Sequence, residues 1–197
     1  DARNLYNAAA IFKGDEIVGT VYKTLLRAHD IFDENRYFKS AKEENIRPVK
    51  VEMGGKEVSL GVEICGDLWD DEIKVTDLLV ERGADLIVNV SASPFYIGKR
   101  LERERLLKKK AARNKVPIFY VNLVGGQDEL VFDGQSLAVD ASGNLIAFAK
   151  QFEEDLVIVD IDLERGVAPR VDSPPYSREE EMFNALVLGI RDYFRKT

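Results

Sequence analysis

Cysteine and histidine each occur once among 197 residues. A single cysteine excludes an internal disulfide framework, so nothing marks the chain as a stapled, secreted scaffold. One cysteine with one histidine also excludes a Cys/His zinc site built within the chain. Any Ser–His or Cys–His mechanism would have to use His29. No stretch approaches the roughly 20 unbroken apolar residues of a spanning helix, and no signal-peptide pattern opens the sequence. The expectation is a cytoplasmic protein with no membrane partner. Basic charge is not in excess: 28 Lys and Arg stand against 35 Asp and Glu, a net −7, which argues against a nucleic-acid surface.

What is present is globular. Apolar residues make up 45% and charged residues 32% of the chain, enough for one domain, or one domain with a short appendage. Leu5 to Phe12 reads as a buried strand, Gly14 as a hairpin turn, and IVGTVYK as the return strand. A polar, irregular stretch from Thr24 to Asn45 is the kind of long loop that carries function. KVEMGGKEVSLGVEIC then reads as strand, Gly54-Gly55 turn, strand, ending at Cys65. Helices follow over Glu72–Arg82 and Lys99–Asn114, and strands over Leu86–Val90 and Pro117–Leu123. Further strands flank turns at Gly134 and Ser142-Gly143, and DLVIVDID reads as the last strand. Continuous apolar strands alternating with helices imply a sheet covered on both faces, and the hairpins imply mixed sheets. The architecture expected is a layered α/β sandwich.

The run VAPRVDSPPY holds three of the six prolines and reads as a linker. After it, Ser177 and Glu180 form a capping box, with Phe183, Leu186, Val187, Ile190 and Phe194 as an apolar helical stripe. The strand so close to Asp1 and the unpartnered stripe at the other end suggest a middle segment of a longer polypeptide.

Cys65 closes an apolar run and precedes Gly66, Asp67, Leu68 and Trp69. A lone cysteine is often a core thiol. This one stands at the carboxyl end of a buried strand, before a glycine turn, where α/β proteins place ligands. Such a turn exposes the sulfur, and the Gly66 N–H can meet an oxyanion. Glu63 stands where a G-x-nucleophile-x-G elbow needs glycine, which disfavours a hydrolase of that kind. Lys23 closes the strand IVGTVY. A lysine there is commonly solvated, but beside Cys65 its ammonium would lower the thiol pKa and stabilise an oxyanion.

The strings YNAAAIF, Lys23 followed by FDENRYF, GVEICGDLW, NVSASPF and YVNLVGGQDELVFDGQS occur in that order. From about Leu5 to Asp162 the chain resembles the nitrilase-type glutaminase domains of the glutamine-dependent NAD synthetase family, carbon–nitrogen hydrolases of α-β-β-α sandwich fold. The helix REEEMFNALVLGIRDYFRK resembles the start of that family's synthetase domain. The resemblance implies a division into a glutaminase domain over 1–165, a linker over 166–176 and the first synthetase helix over 177–197. It implies that Cys65 attacks the glutamine amide to form a thioester, and that Lys23 is the lysine of a Glu-Lys-Cys triad. The triad's base glutamate lies upstream of YNAAA in the family and outside this chain, so the chain alone is expected to turn over little or not at all. Lys23 and the Gly66 N–H would form the oxyanion hole. Glu34 falls near a supporting glutamate, and Phe32, His29, Ser93 and Lys99 fall where the family lines its glutamine pocket. The family usually reads Cys-Glu-Asp where this chain reads Cys65-Gly66-Asp67, a departure that would weaken recognition of the substrate's amino group. No metal or cofactor is implied for this half; ATP and Mg²⁺ belong to the synthetase domain, the partner for which ammonia is released. Related enzymes are oligomeric, so a homo-oligomer is expected.

Other features have plainer readings. Lys99–Lys115 carries nine basic and two acidic residues without interleaved aromatics, and reads as a solvated helix face. Gly125-Gly126 lacks the Lys-Ser/Thr of a phosphate loop and reads as a functional turn. Asp67, Asp70 and Asp71 read as turn caps. Besides the glutaminase, two alternatives remain open from sequence: a stand-alone nitrilase-like amidase, and a non-catalytic assembly or regulatory domain.

Overall fold

Glycines and polar turns punctuate the apolar runs, and the computed structural model shows what the runs build. It describes residues 4–28, 32–69, 74–175 and 177–197. Contacts divide the chain into two units, Asp1–Val90 and Ser91–Thr197.

In the first unit, strands β1 (Ala8–Lys13) and β2 (Glu16–Tyr22) form an antiparallel hairpin turning at Gly14, whose φ is +60°. β1 starts later than Leu5 and is not buried: Phe12 is 62% exposed. Its alanines offer little surface to bury, and a register irregularity between Ile11 and Phe12 interrupts the pairing. The following loop is largely irregular but contains a short helix, α1 (Glu34–Tyr37), and a 3-10 turn at Glu43–Asn45. Strands β3 (Val49–Met53) and β4 (Lys56–Ile64) pair antiparallel across Gly54-Gly55. Helix α2 (Val75–Glu81) then crosses to β5 (Leu86–Ser91), which pairs parallel with β4 from Leu60↔Leu86 to Ile64↔Val90. Glu72 and Ile73, in the sequence-based helix, lie outside the described residues. The sheet β3–β4–β5 is therefore mixed, in an α/β fold. A Cβ added to Gly61 of β4 would lie 2.5 Å from Ile87 Cδ1, so glycine is what lets β4 and its neighbour close up there.

In the second unit, helix α3 (Lys99–Asn114) leads into β6 (Ile118–Asn122), then β7 (Val124–Gln127) and β8 (Leu130–Asp133). β9 (Leu137–Val139) pairs antiparallel with β6 and with β10 (Leu145–Phe148), and helix α4 (Arg178–Lys196) completes the unit. Two sequence-based expectations fail in these strands. Gly125 and Gly126 are not a turn but lie in β7, paired with β8. The small residues are needed for packing: a Cβ on Gly126 would come within 3.1 Å of Gly189 Cα in α4. DLVIVDID alternates like a strand but makes no ladder among the described residues. Leu156 and Ile158 stand 84% exposed while Val159 and Ile161 pack on the Ala138–Ile146–Ala147 cluster, so its alternation records one buried side and one open side.

The basic helix α3 is not simply solvated, a third correction. Arg100, Arg103 and Lys110 are buried, and Arg103 binds the Asp133 carboxylate through both terminal nitrogens at 2.9 and 2.7 Å. Arg100 holds the proline-rich run, donating to Ser173 Oγ at 3.0 Å and to the Pro175 carbonyl at 3.2 Å. In α4, Ser177 caps by accepting the Glu180 N–H at 3.2 Å. The helix buries Glu181, Ala185 and Leu188, while the stripe Phe183, Leu186, Val187, Ile190 and Phe194 is exposed. No described helix is long and apolar enough to cross a membrane.

Candidate active site

β4 delivers Cys65 at its carboxyl end, at the first residue of a 3-10 turn over Cys65–Leu68. Cys65 has φ +45°, a left-handed conformation that costs a non-glycine residue about 1–3 kcal/mol and persists only where its surroundings fix it. The surroundings do. Asp67 Oδ2 accepts the Ile64 N–H at 3.1 Å, tying the two sides of the turn together. Its Oδ1 accepts the N–H groups of Thr24 at 3.1 Å and Leu25 at 2.7 Å, which fastens the turn to the exit of β2. Asn89 of β5 donates to the Cys65 carbonyl at 3.4 Å. The thiol is free and half-exposed. Burial pushes the Asp67 carboxyl above the ordinary range; the Leu25, Ile64 and Thr24 N–H groups and the Lys23 charge act the other way without cancelling it.

Lys23 directly follows β2 and is buried, not solvated. Its main chain is fixed on both sides: the N–H donates to the Asn7 carbonyl at 2.8 Å, and the carbonyl accepts the Ala41 N–H at 2.9 Å. Its Nζ meets Glu34 Oε2 at 2.5 Å, with the two side chains 4% and 13% exposed. Glu34 opens α1. Its Oε1 accepts from Asn7 Nδ2 at 3.1 Å, and its Oε2 also accepts the Arg27 N–H at 2.9 Å. Burial alone would raise the Glu34 pKa, but the Arg27 N–H, the Lys23 ammonium and the Asn7 amide together hold it below the ordinary range. Such a carboxylate is a poor proton acceptor and a good anchor for an ammonium.

These two clusters meet at Gly66. A Cβ built there would lie 3.6 Å from Lys23 Cε, 3.4 Å from the Leu25 carbonyl oxygen and 3.2 Å from Arg27 Nε. Lys23, Glu34, Cys65, Gly66 and Asp67 are thus brought together, a thiol and a buried, carboxylate-backed ammonium at the end of one buried strand. Chemically, that combination offers a nucleophile and a fixed cation for charge developing on an attacked carbonyl.

Phe32 is half-buried in the loop just before α1, and His29 lies outside the described residues, as do Asp70 and Asp71. In the second unit Ser93 is buried, donating its N–H to Asn122 Oδ1 at 2.9 Å and its carbonyl accepting from Arg103 Nη2 at 3.3 Å. Lys99 stands at the start of α3, 4.8 Å from the Tyr96 ring centroid and 3.5 Å from Glu102 Oε2. Among the described residues no cluster of three or more His, Cys, Asp or Glu side chains is placed to hold a metal ion. Sequence reasoning missed Asn7, Arg27 and Asn89. Asn7 and Asn89 carried a signal, as polar residues inside the apolar runs LYNAAAIF and LIVNV; Arg27 carried none.

The family model for carbon-nitrogen hydrolases matches residues 1–170. The chain belongs to the carbon-nitrogen hydrolase family. Among carbon-nitrogen hydrolases it is similar to the glutamine-dependent NAD(+) synthetase of Thermotoga maritima, 40% identical over 97% of this chain and 38% of the relative. The enzyme of the same name from Synechocystis is 40% identical over 98% of this chain and 36% of its own length. The solved glutamine-dependent NAD+ synthetase of Acinetobacter baumannii, in complex with ADP, superposes with a TM-score of 0.86 at 33% identity, over 96% of this chain and 35% of that one. The chain thus spans little more than a third of the length of the curated relatives it matches. The mixed α/β architecture expected from the sequence is the fold of these carbon-nitrogen hydrolase neighbours.

Proposed function

We propose that this chain is the glutaminase portion of a glutamine-dependent NAD synthetase, with Cys65 as nucleophile and Lys23 as the cation of its oxyanion hole. The observation that carries the reading is the buried Lys23–Glu34 pair packed beside the Cys65–Gly66 turn. The names of the relatives supply the substrate.

The thiol of Cys65 loses its proton to a general base, and the sulfur attacks the carbon of the glutamine side-chain amide. The carbonyl electron pair moves onto oxygen, where the Lys23 ammonium and the Gly66 N–H stabilise it. Collapse of the tetrahedral intermediate breaks the C–N bond, and the base returns the proton to the departing nitrogen, releasing ammonia. Water, deprotonated by the same base, then attacks the thioester and frees glutamate and the thiol. Glu34 serves as the anchor of Lys23 rather than as the base, because its oxygens are engaged by three donors. The base is assigned, on the resemblance, to a glutamate outside these residues. ATP and Mg²⁺ are assigned to the synthetase portion of the longer polypeptide, with 166–176 as linker and α4 as its leading helix.

A second reading, a catalytically silent domain, draws on Gly66 standing where the family usually has glutamate. The retained ion pair behind Lys23 weighs against it. Hydroxylamine tests the acyl-enzyme: the full-length protein turning over glutamine in its presence should yield the glutamyl hydroxamate, and Cys65→Ala should yield none. Hydroxamate formed equally by Cys65→Ala would overturn the assignment.

A further inference from the structure

Helix α4 turns a charge inward. Its buried side carries Glu181, Ala185 and Leu188, one helical stripe, and Glu181 is only 3% exposed. A carboxylate taken out of water is costly where an apolar side chain is not, unless fixed donors meet it. Donors do meet it. Oε2 accepts the Gly98 N–H at 3.1 Å, and Oε1 accepts from Gln151 Nε2 at 2.8 Å. The same Gln151 nitrogen donates to Asp133 Oδ2 at 3.0 Å. Asp133 in turn holds Arg103, whose Nη2 reaches the Ser93 carbonyl at 3.3 Å. The segment from Ser93 to Gly98 is therefore clasped at both ends, and Gln151 joins the two clasps. Between them the Phe95 ring meets the Phe152 ring edge-on at 5.2 Å, against the cluster that Ala185 and Leu188 of α4 complete.

The clasped segment is the chain that leaves β5 at the nucleophile's end. Val90 of β5 pairs with Ile64 of β4, the residue before Cys65, and the two strands run parallel. Ser93 follows Val90 by three residues, so the segment departs from the strand ends where α/β sheets take up ligands. We propose that Glu181 is a positioning residue: from α4, through Gly98 and Gln151, it holds the 93–98 segment in the conformation that glutamine uptake requires. This rests on the glutaminase reading above. It adds that uptake depends on a buried charge in the helix assigned there to the synthetase portion, so that loosening α4 at Glu181 weakens the hold on substrate.

The test is steady-state ammonia release from glutamine by the full-length protein. Glu181→Gln keeps the size of the side chain but leaves one acceptor oxygen for two donors. It should raise the glutamine KM about fivefold with kcat within about twofold, the effect of one lost hydrogen bond on uptake. Gln151→Met, which spares the Gly98 contact, should move KM the same way and by less. Asp192→Ala is the control for a loosened helix, because Asp192 anchors the other end of α4 on β7 by accepting the Gly126 N–H at 2.8 Å. It should lower the melting temperature and leave KM where it is. An unchanged KM in both Glu181→Gln and Gln151→Met would overturn the proposal, as would an equal rise in Asp192→Ala. If Glu181→Gln does not fold, Gln151→Met against Asp192→Ala decides. Ammonia release by the wild type separates the two levels. Its presence with no Glu181 or Gln151 effect removes only this inference, and its absence removes the glutaminase reading as well.

Discussion

Glu34 ties Lys23 to the loop that follows it, since one of its oxygens meets both the Lys23 ammonium and the backbone N–H of Arg27. Its carboxyl is held below the ordinary glutamate range, so the folded state binds this proton less readily than the unfolded chain. The stabilisation is therefore fully present above the unfolded value of about 4.3 and is lost as pH falls through the lower folded value. Glu34→Gln should melt below the wild type at neutral pH and the gap should close in acid, below about pH 4. Thermal melts at stepped pH check this; a gap that persists or widens in acid would mean that the ion pair is not what Glu34 contributes. The sequence exposed Cys65 and Lys23 as candidates because a polar residue that ends an apolar strand is conspicuous. It did not expose Arg27, or the pairing of Asn7 with Glu34, because those partners lie across a loop with no periodicity to follow.

At the scale of elements, the strand β4 sets the position of the nucleophile, and its fit against β5 depends on a missing side chain. Gly61 pairs with Ile87, and an added Cβ would meet Ile87 Cδ1 at 2.5 Å, Ala84 Cβ at 3.1 Å and the Leu86 carbonyl oxygen at 3.3 Å. Ile87 is fully buried and has little freedom to yield. Gly61→Ala should cost about 1–3 kcal/mol by overpacking, read as a lower denaturant midpoint with an unchanged slope. No loss would show that β4 and β5 have slack there. Elements with a strong period were legible: α3 and α4 begin and end where the sequence places them. DLVIVDID failed because alternation reports one buried side and not a pairing partner. The glycines of β7 failed because a close helix approach, Gly126 against Gly189, needs small residues just as a turn does.

For the whole molecule, the length relation to its relatives and the exposed apolar side of α4 bear on the same question. The chain matches little more than a third of the length of glutamine-dependent NAD synthetases, and Phe183, Leu186, Ile190 and Phe194 face outward from α4. Under the proposed function the glutaminase works as part of that longer polypeptide. The most direct measurement is ammonia release from glutamine by the full-length protein, compared with its Cys65→Ala variant at matched folding. A cysteine glutaminase should release ammonia as wild type and lose that release with the thiol. Release that continues without the Cys65 sulfur, or none from a folded wild type, would contradict the assignment.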